Sequence, residues 1–148
     1  MDFYTYNSLE TIEFGKKLGN KLLSNDVLLL TGDLGAGKTT LTKGIGKALE
    51  INRVINSPTF TIVKEYHGKL DLYHLDLYRL DGLGNDFDLE EYFTKGGITV
   101  CEWPQNVKDI LPDEYLLIAI YREGDEKRRI SLTPFGKRYE KIVSDLND

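Results

Sequence analysis

The strongest constraint on the fold is the passage from an apolar run, Val27–Leu30, into the glycine-rich stretch T-G-D-L-G-A-G-K-T-T at residues 31–40. A short, continuous apolar run is typical of a strand buried on both faces, so we predict a strand over Val27–Thr31. Apolar residues then recur at helical spacing, and we predict a helix over Lys38–Leu49. The chain is therefore expected to pass from a buried strand through a tight loop into a helix.

The loop fits the pattern G-x-x-x-x-G-K-[ST], whose defining residues here are Gly32, Gly37, Lys38 and Thr39. Glycines let the backbone curl so that successive N–H groups point inward and bind oxyanions. Lys38 supplies a cation for the β- and γ-phosphates, Thr39 offers a hydroxyl to Mg²⁺, and the following helix directs its positive end at the phosphates. A glycine-rich turn with a chance lysine is the alternative, and the predicted strand and helix on either side disfavour it.

The rest of the chain alternates helical and strand-like patterns. We predict helices over Leu9–Leu23, Leu89–Phe93 and Gly136–Leu146, and strands over Thr61–Tyr66, Leu70–Tyr78, Ile98–Cys101, Tyr115–Tyr121 and Arg129–Thr133. Two hairpin turns are expected, at residues 67–68 and 123–126. The predicted fold class is therefore α/β: a P-loop NTPase fold with a mixed, mostly parallel central sheet, flanking helices and antiparallel hairpin strands. We expect one domain over residues 1–148.

Composition bears on the compartment and on the class of partner. The 148 residues are 41% hydrophobic, carry a net charge of -5 and include one cysteine, Cys101, which excludes an internal disulfide and suits a reducing compartment. No apolar run approaches the roughly 18 residues of a membrane span, and the N-terminus lacks a secretion signal, so we expect a cytoplasmic protein. Basic residues are scattered apart from residues 127–129, so any contact with nucleic acid is expected through a partner.

Nucleotide hydrolysis needs an acid that binds the metal and a group that orients the attacking water, and two acidic residues are candidates for these roles. Glu102 closes the apolar run Ile98–Cys101, as expected when a central parallel strand delivers an acid to the ligand edge of a sheet. Asp76 lies in a less uniformly apolar segment, H-L-D-L-Y-R, for which the solvated face of a hairpin strand is an equal alternative. The pattern favours Glu102 beside the metal and leaves Asp76 in the metal's outer shell or as the group that orients water.

Three other residues each allow two interpretations, and Cys101 allows one. Thr59 in S-P-T-F-T occupies a position from which a switch loop could reach the metal and γ-phosphate, or it belongs to a simple turn. Trp103 follows Glu102 and is a core or interface residue unless it borders the site. His74 is either a core residue or a site residue, whereas Cys101 is predicted to lie in the core.

Four motifs in this order, G-D-L-G-A-G-K-T-T, S-P-T-F-T, H-L-D-L-Y-R and E-W-P, resemble those of the bacterial TsaE (YjeE-like) family. The resemblance implies a small P-loop protein that binds and slowly hydrolyses ATP with Mg²⁺. It also implies a role with two partners, TsaD and TsaB, in making threonylcarbamoyladenosine next to the anticodon of tRNAs that read codons starting with A. The family's ATPase is not itself the transferase, and tRNA is reached through the complex.

The resemblance also implies roles for individual residues. The phosphates would be held by Leu34, Gly35, Ala36, Gly37, Lys38 and Thr39, with Thr40 supporting the loop. Thr39 and Glu102 would hold Mg²⁺, while Asp76 and Thr59 would join Lys38 in the catalytic or switch apparatus. Nucleotide contacts outside the loop would come from Ser8, Gln105 and Arg129. Residues 83–88 depart from the shorter glycine-leucine pattern of the family. This departure affects a local loop and leaves the ATP motifs unchanged.

Two other functions remain as alternatives. A small-molecule kinase would use the same loop, but such enzymes need a lid with several arginines, and the segment after Glu102 has no arginine cluster. A GTP switch protein would need an N-K-x-D string to read guanine, and the sequence has none. No arginine finger is evident either, so the intrinsic rate is expected to be low unless Arg79 or a partner supplies one.

Overall fold

The chain is built on one seven-stranded sheet with three α-helices, seen in a computed structural model that describes residues 1–33, 35–56, 63–76, 89–102 and 111–147. The strands are β1 (Asp2–Thr5), β2 (Val27–Gly32), β3 (Val63–Tyr66), β4 (Leu72–Asp76), β5 (Ile98–Glu102), β6 (Tyr115–Arg122) and β7 (Arg128–Phe135). The helices are α1 (Ser8–Gly19), α2 (Lys38–Ala48) and α3 (Lys137–Leu146), and a 3₁₀ helix spans Leu89–Thr94.

The strand order is β1-β7-β6-β2-β5-β4-β3, and the four central strands β6, β2, β5 and β4 run parallel. The outer strands are antiparallel to their neighbours: β3 to β4, β7 to β6, and β1 to β7. Both predicted hairpins are present. The predicted fold class, a mixed sheet with a parallel centre and antiparallel hairpin strands, is confirmed.

The centre of the sheet is buried on both faces. The apolar residues of β2 and all five residues of β5 are buried, as their continuous apolar patterns predicted. One face packs against the apolar sides of α1, α2 and α3. Cys101 points to the opposite face, where burial raises the pKa of its thiol to about 12, and its predicted place in the core is confirmed.

Two expectations about strands need correction. Strand β1 was not predicted, and it pairs with β7 at the sheet edge. A solvated face for the segment that contains Asp76 is wrong for β4, because that strand lies between β3 and β5 and all five of its residues are buried. The sequence also predicts loops at residues 56–58 and 81–88, and all of these residues except Asn56 lie outside the described ones.

Helices α1 and α2 pack with their backbones in contact. A Cβ atom added at Gly44 would lie 2.1 Å from the carbonyl oxygen of Ile12, and one added at Gly15 would lie 2.3 Å from that of Leu41. Because no side chain separates the two helices here, the first turn of α1 can lie beside the loop that precedes α2. Among the described helices, none has both the length and the apolar character that a membrane crossing requires.

Candidate functional site

The loop between β2 and α2 depends on glycine for two different physical reasons. Gly35 and Gly37 have φ values of 81° and 115°, in the left-handed region that side chains disfavour. A Cβ atom at Gly35 would meet nothing within 4 Å, so position 35 needs glycine only because of its backbone conformation. At Gly32 space is also limiting, because a Cβ atom there would lie 2.8 Å from the carbonyl oxygen of Ile120.

The N-terminus of α2 has no side-chain cap. The side chain of Asn7 caps α1 by accepting a hydrogen bond from the backbone N–H of Glu10 at 2.8 Å, whereas α2 starts at Gly37 with no side-chain cap and no acidic residue in its first turn. Helix α3 also starts without a side-chain cap, at Gly136, so this feature alone marks no site. What distinguishes α2 is the glycine-rich loop before it and the position of Lys38 and Thr39 in its first turn.

The two predicted acids lie side by side at the end of the sheet that faces this loop. Asp76 and Glu102 are direct partners in the register of β4 and β5, and Glu102 is also opposite Leu30 on β2. Because all three strands are parallel, their carboxyl ends meet at one edge, where open α/β sheets bind ligands. Both acids are buried, with 7% and 5% of their surface exposed.

Glu102 is held as a carboxylate by its surroundings. Burial raises the pKa of Glu102, but the hydrogen bond with His74 and the electrostatic effects of His74 and Lys38 outweigh burial and keep the pKa below its ordinary value. The hydrogen bond joins Oε1 of Glu102 to Nε2 of His74 at 3.3 Å. Lys38, at the start of α2, therefore lowers the pKa of Glu102 at the end of β5.

The donor set at this edge fits Mg²⁺ shared with a phosphate. Mg²⁺ prefers hard oxygen donors and is usually held by one or two carboxylates together with phosphate oxygens and water, rather than by an all-protein cage. The carboxylates of Asp76 and Glu102 lie at this edge, and Thr39 stands in the first turn of α2, which follows the loop. Across the described ranges there is no group of three or more His, Cys, Asp or Glu side chains that could hold a metal by themselves.

A cleft of about 200 Å³ opens beside the loop, between the first turn of α1 and the β6–β7 hairpin. It is lined by Ser8, Thr11, Gly35, Gly37, Thr40, Asp125, Glu126 and Arg128. Arg128 ties the hairpin to the loop, because its Nε donates to the carbonyl oxygen of Ala36 at 2.7 Å. Its Nη1 donates to the carbonyl oxygens of three hairpin residues, Gly124, Asp125 and Lys127, at 3.0 to 3.3 Å.

Both the sequence and the fold resemble those of known proteins. A sequence model of the family described as "Threonylcarbamoyl adenosine biosynthesis protein TsaE" matches residues 5–130. The chain belongs to the TsaE family. It is 46% identical over 144 residues to the tRNA threonylcarbamoyladenosine biosynthesis protein TsaE of Bacillus subtilis (strain 168), a match that covers 97% of this chain and 91% of the relative. The protein of the same name from Synechocystis sp. is 45% identical over 116 residues, or 74% of each chain.

The fold agrees with this assignment. A crystal structure of Bacillus subtilis YdiB superimposes with a TM-score of 0.87 at 42% sequence identity, and the match covers 99% of this chain and 93% of that one. The TsaE resemblance of the four sequence motifs is therefore confirmed at the level of both sequence and fold.

The TsaE resemblance implied a set of site residues. Most of those that the structure describes lie at one edge of the sheet. Ser8, Gly35, Gly37 and Thr40 line the cleft, Ala36, Lys38 and Thr39 belong to the loop and the first turn of α2, and Asp76 and Glu102 end the neighbouring strands. Three of the implied residues, Leu34, Thr59 and Gln105, lie outside the described residues, as do Arg79 and Trp103.

Arg129, for which the resemblance implied a nucleotide contact, is not among the residues that line the cleft. Its Nε donates to Oε1 of Glu123 at 2.8 Å, and its guanidinium lies 4.1 Å from the centre of the Tyr121 ring. The neighbouring Arg128 lines the cleft instead. The alternation of buried and exposed side chains along β7 explains why the two arginines differ. Arg128 shares a face with the buried Ile130 and Leu132, whereas Arg129 points to the opposite face.

Thr11, Asp125 and Glu126 also line the cleft and were not singled out from the sequence. Thr11 lies three residues after Ser8, so the two share one face of α1, and helical spacing alone could have paired them. Nothing in the sequence pattern distinguishes Asp125 and Glu126 from ordinary turn residues.

Proposed function

We propose that this TsaE family member binds ATP with Mg²⁺ and hydrolyses it slowly, as an accessory protein in threonylcarbamoyladenosine modification of tRNA. The observation that carries the proposal is the paired register of Asp76 and Glu102, which sets two buried carboxylates beside the loop that leads into α2. A phosphate-binding loop alone accounts for nucleotide binding, whereas hydrolysis also needs acids for the metal and the water.

Each residue of the edge has a task in this proposal. Backbone N–H groups of the loop and the first turn of α2 bind the phosphate oxygens, and Lys38 offsets the charge of the β- and γ-phosphates. Thr39 and Glu102 hold the metal, and Asp76 orients the attacking water or supports the metal from its outer shell. When bound, Mg²⁺ neutralises the charge that develops on the transferred phosphoryl group.

The position of Arg128 supports a low intrinsic rate. Arginine fingers accelerate phosphoryl transfer by directing free N–H groups at the γ-phosphate. Arg128 lines the cleft, but its Nε and Nη1 donate to backbone carbonyl groups of the loop and the hairpin. We expect Arg128 to shape the cleft, and a partner or Arg79 to supply any arginine finger.

The partners follow from the family and not from the geometry. The relatives that match this chain are named as tRNA threonylcarbamoyladenosine biosynthesis proteins. We therefore propose that the chain acts in the cytoplasm with a TsaD–TsaB complex, which carries the transferase and holds the tRNA. In this proposal ATP hydrolysis resets the complex between turnovers.

A pull-down tests the proposed function directly. The full chain is mixed with TsaD and TsaB, with and without ATP and Mg²⁺, and ATP hydrolysis by the mixture is then measured. Nucleotide-dependent association together with faster hydrolysis is expected. Failure to associate under every nucleotide condition would leave only a generic ATPase activity. Phosphate transfer to a nucleoside, with no ADP formed when the nucleoside is absent, would favour the kinase alternative.

The two neighbouring arginines give a further prediction. Arg128→Ala should weaken ATP binding about tenfold, because a hydrogen bond from a charged group contributes about 1.5 kcal/mol and its loss frees the hairpin from the carbonyl oxygen of Ala36. Arg129→Ala removes the same charge one residue away and should leave the ATP dissociation constant within about twofold. Titration calorimetry measures both. A larger loss from Arg129→Ala would return the nucleotide contact to Arg129, whereas equal losses would mean that overall charge and not position governs binding.

A further inference from the structure

His74 occupies an unusual place for an imidazole. It is the middle residue of β4, a strand that is buried along its whole length, and none of its surface is exposed. It shares a face of the sheet with Leu72 and with Val100 of β5, which belong to the core that also contains α2. Burying a polar ring in such a core is unfavourable unless the ring makes hydrogen bonds.

The hydrogen bond of His74 goes to the proposed metal ligand. Nε2 lies 3.3 Å from Oε1 of Glu102, and since a carboxylate only accepts, Nε2 carries the proton. The other ring nitrogen, Nδ1, is buried and has no hydrogen-bond partner among the described residues. An apolar side chain would therefore suit this core position better, apart from the bond to Glu102.

The geometry indicates that His74 acts by orienting the carboxyl group of Glu102. The backbones of β4 and β5 are fixed by their parallel register, in which His74 is opposite Val100 and Glu102 is two residues closer to the sheet edge. A side chain anchored on β4 that reaches Oε1 fixes the rotation of the Glu102 carboxyl group. His74 engages Oε1 and leaves Oε2 for other contacts at the carboxyl end of β5.

We propose that His74 is a positioning residue, which holds Oε1 of Glu102 so that Oε2 faces the metal of the Mg²⁺–ATP site. This inference rests on the proposed function. Groups that hydrogen-bond a metal ligand typically change metal affinity 10- to 100-fold when they are removed. His74 itself touches neither nucleotide nor metal in this account, so its removal should affect the metal and spare nucleotide binding without metal.

Two apolar variants and one polar variant test the inference. His74→Leu and His74→Met keep an apolar side chain of similar size in the core and remove the donor, and testing both protects against one failing to fold. His74→Gln restores an N–H donor on a side chain of similar reach. The measurements are the Mg²⁺ concentration that gives half-maximal binding of a fluorescent ATP analogue, the affinity for the analogue in EDTA, and the melting temperature.

The apolar variants should raise the half-maximal Mg²⁺ concentration about 10- to 100-fold, while affinity in EDTA stays within about twofold. His74→Gln should recover most of the loss. Thr99→Val is the matched control, because it removes a partly buried hydrogen bond of β5, from Oγ1 to the carbonyl oxygen of Tyr92, and leaves the contact of His74 with Glu102 in place. It should lower the melting temperature and leave the Mg²⁺ dependence unchanged.

The outcomes separate this inference from the proposed function. If the unmodified protein shows no Mg²⁺-dependent ATP binding, the proposed function fails and the inference fails with it. If that dependence is present and the apolar variants keep it unchanged, only the role of His74 is overturned. An equal shift in the apolar variants and Thr99→Val would also overturn it, because a general loss of sheet stability would then be the cause.

Discussion

Lys38→Ala should abolish measurable ATP binding. Lys38 stands in the first turn of α2 directly after Gly37, where it offsets phosphate charge in the proposed site, and its charge is felt by the buried Glu102. Truncating one member of a hydrogen-bonded charge pair at a binding site costs roughly 2–5 kcal/mol, which corresponds to about 30-fold or more in the dissociation constant. Isothermal titration calorimetry with ATP and Mg²⁺ measures the effect.

Lys47→Ala is the matched control for this prediction. It removes the same charge from the same helix, but in the last turn of α2, far from the loop. ATP binding should be unchanged, and the melting temperatures of both variants should show that the fold survives. Wild-type ATP affinity in Lys38→Ala would refute the phosphate-binding role of the loop, whereas loss in both variants would mean that overall charge and not position governs binding.

Local patterns predicted the segment that carries these residues. The apolar run predicted a strand over Val27–Thr31, and the structure has Val27–Gly32; the helix predicted over Lys38–Leu49 spans Lys38–Ala48. Strand, loop and helix are consecutive here, and each is specified by its own residues: an apolar run, glycines at positive φ, and apolar side chains at helical spacing. No distant part of the chain is needed to define them.

Features that depend on distant pairing were missed. The segment Asp2–Thr5 has no strong strand pattern and becomes β1 because it pairs with β7 from the opposite end of the chain. Strand β4 contains polar residues, and its burial follows from its place between β3 and β5. That Arg128 lines the cleft likewise depends on which face of β7 the α-helices cover. A sequence reveals such neighbours only after the topology is known.

The register of β4 and β5 also changes how the two acids compare. The sequence favoured Glu102 because it closes an apolar run, and gave Asp76 a weaker case. In the structure they are direct partners on neighbouring parallel strands, and both are buried at the same edge. Glu102 hydrogen-bonds His74, and the charge of Lys38 helps to keep the pKa of Glu102 below its ordinary value. These contacts keep Glu102 ionised and favour it as a ligand of the proposed metal.

Glu102→Gln should keep ATP binding and lose Mg²⁺-dependent hydrolysis. The amide oxygen can still accept the hydrogen bond from His74, so the buried edge stays intact, but the charge that holds Mg²⁺ is gone. The hydrolysis rate should fall at least 100-fold, since removal of one group that stabilises the transition state typically costs about 2.7–4 kcal/mol. ATP affinity in EDTA should change by less than about threefold. Rates are measured by phosphate release over a range of Mg²⁺ concentrations.

Asp76→Asn completes the comparison, because it removes the equivalent charge from the partner position on β4. A residue that orients water should lower the maximal rate at saturating Mg²⁺ and leave the half-maximal Mg²⁺ concentration unchanged, whereas loss of the metal ligand raises that concentration. We expect the first pattern for Asp76→Asn and the second for Glu102→Gln. Unchanged hydrolysis in Glu102→Gln, with a raised Mg²⁺ requirement in Asp76→Asn, would transfer the metal to Asp76 and leave His74 supporting a carboxylate that does not bind it.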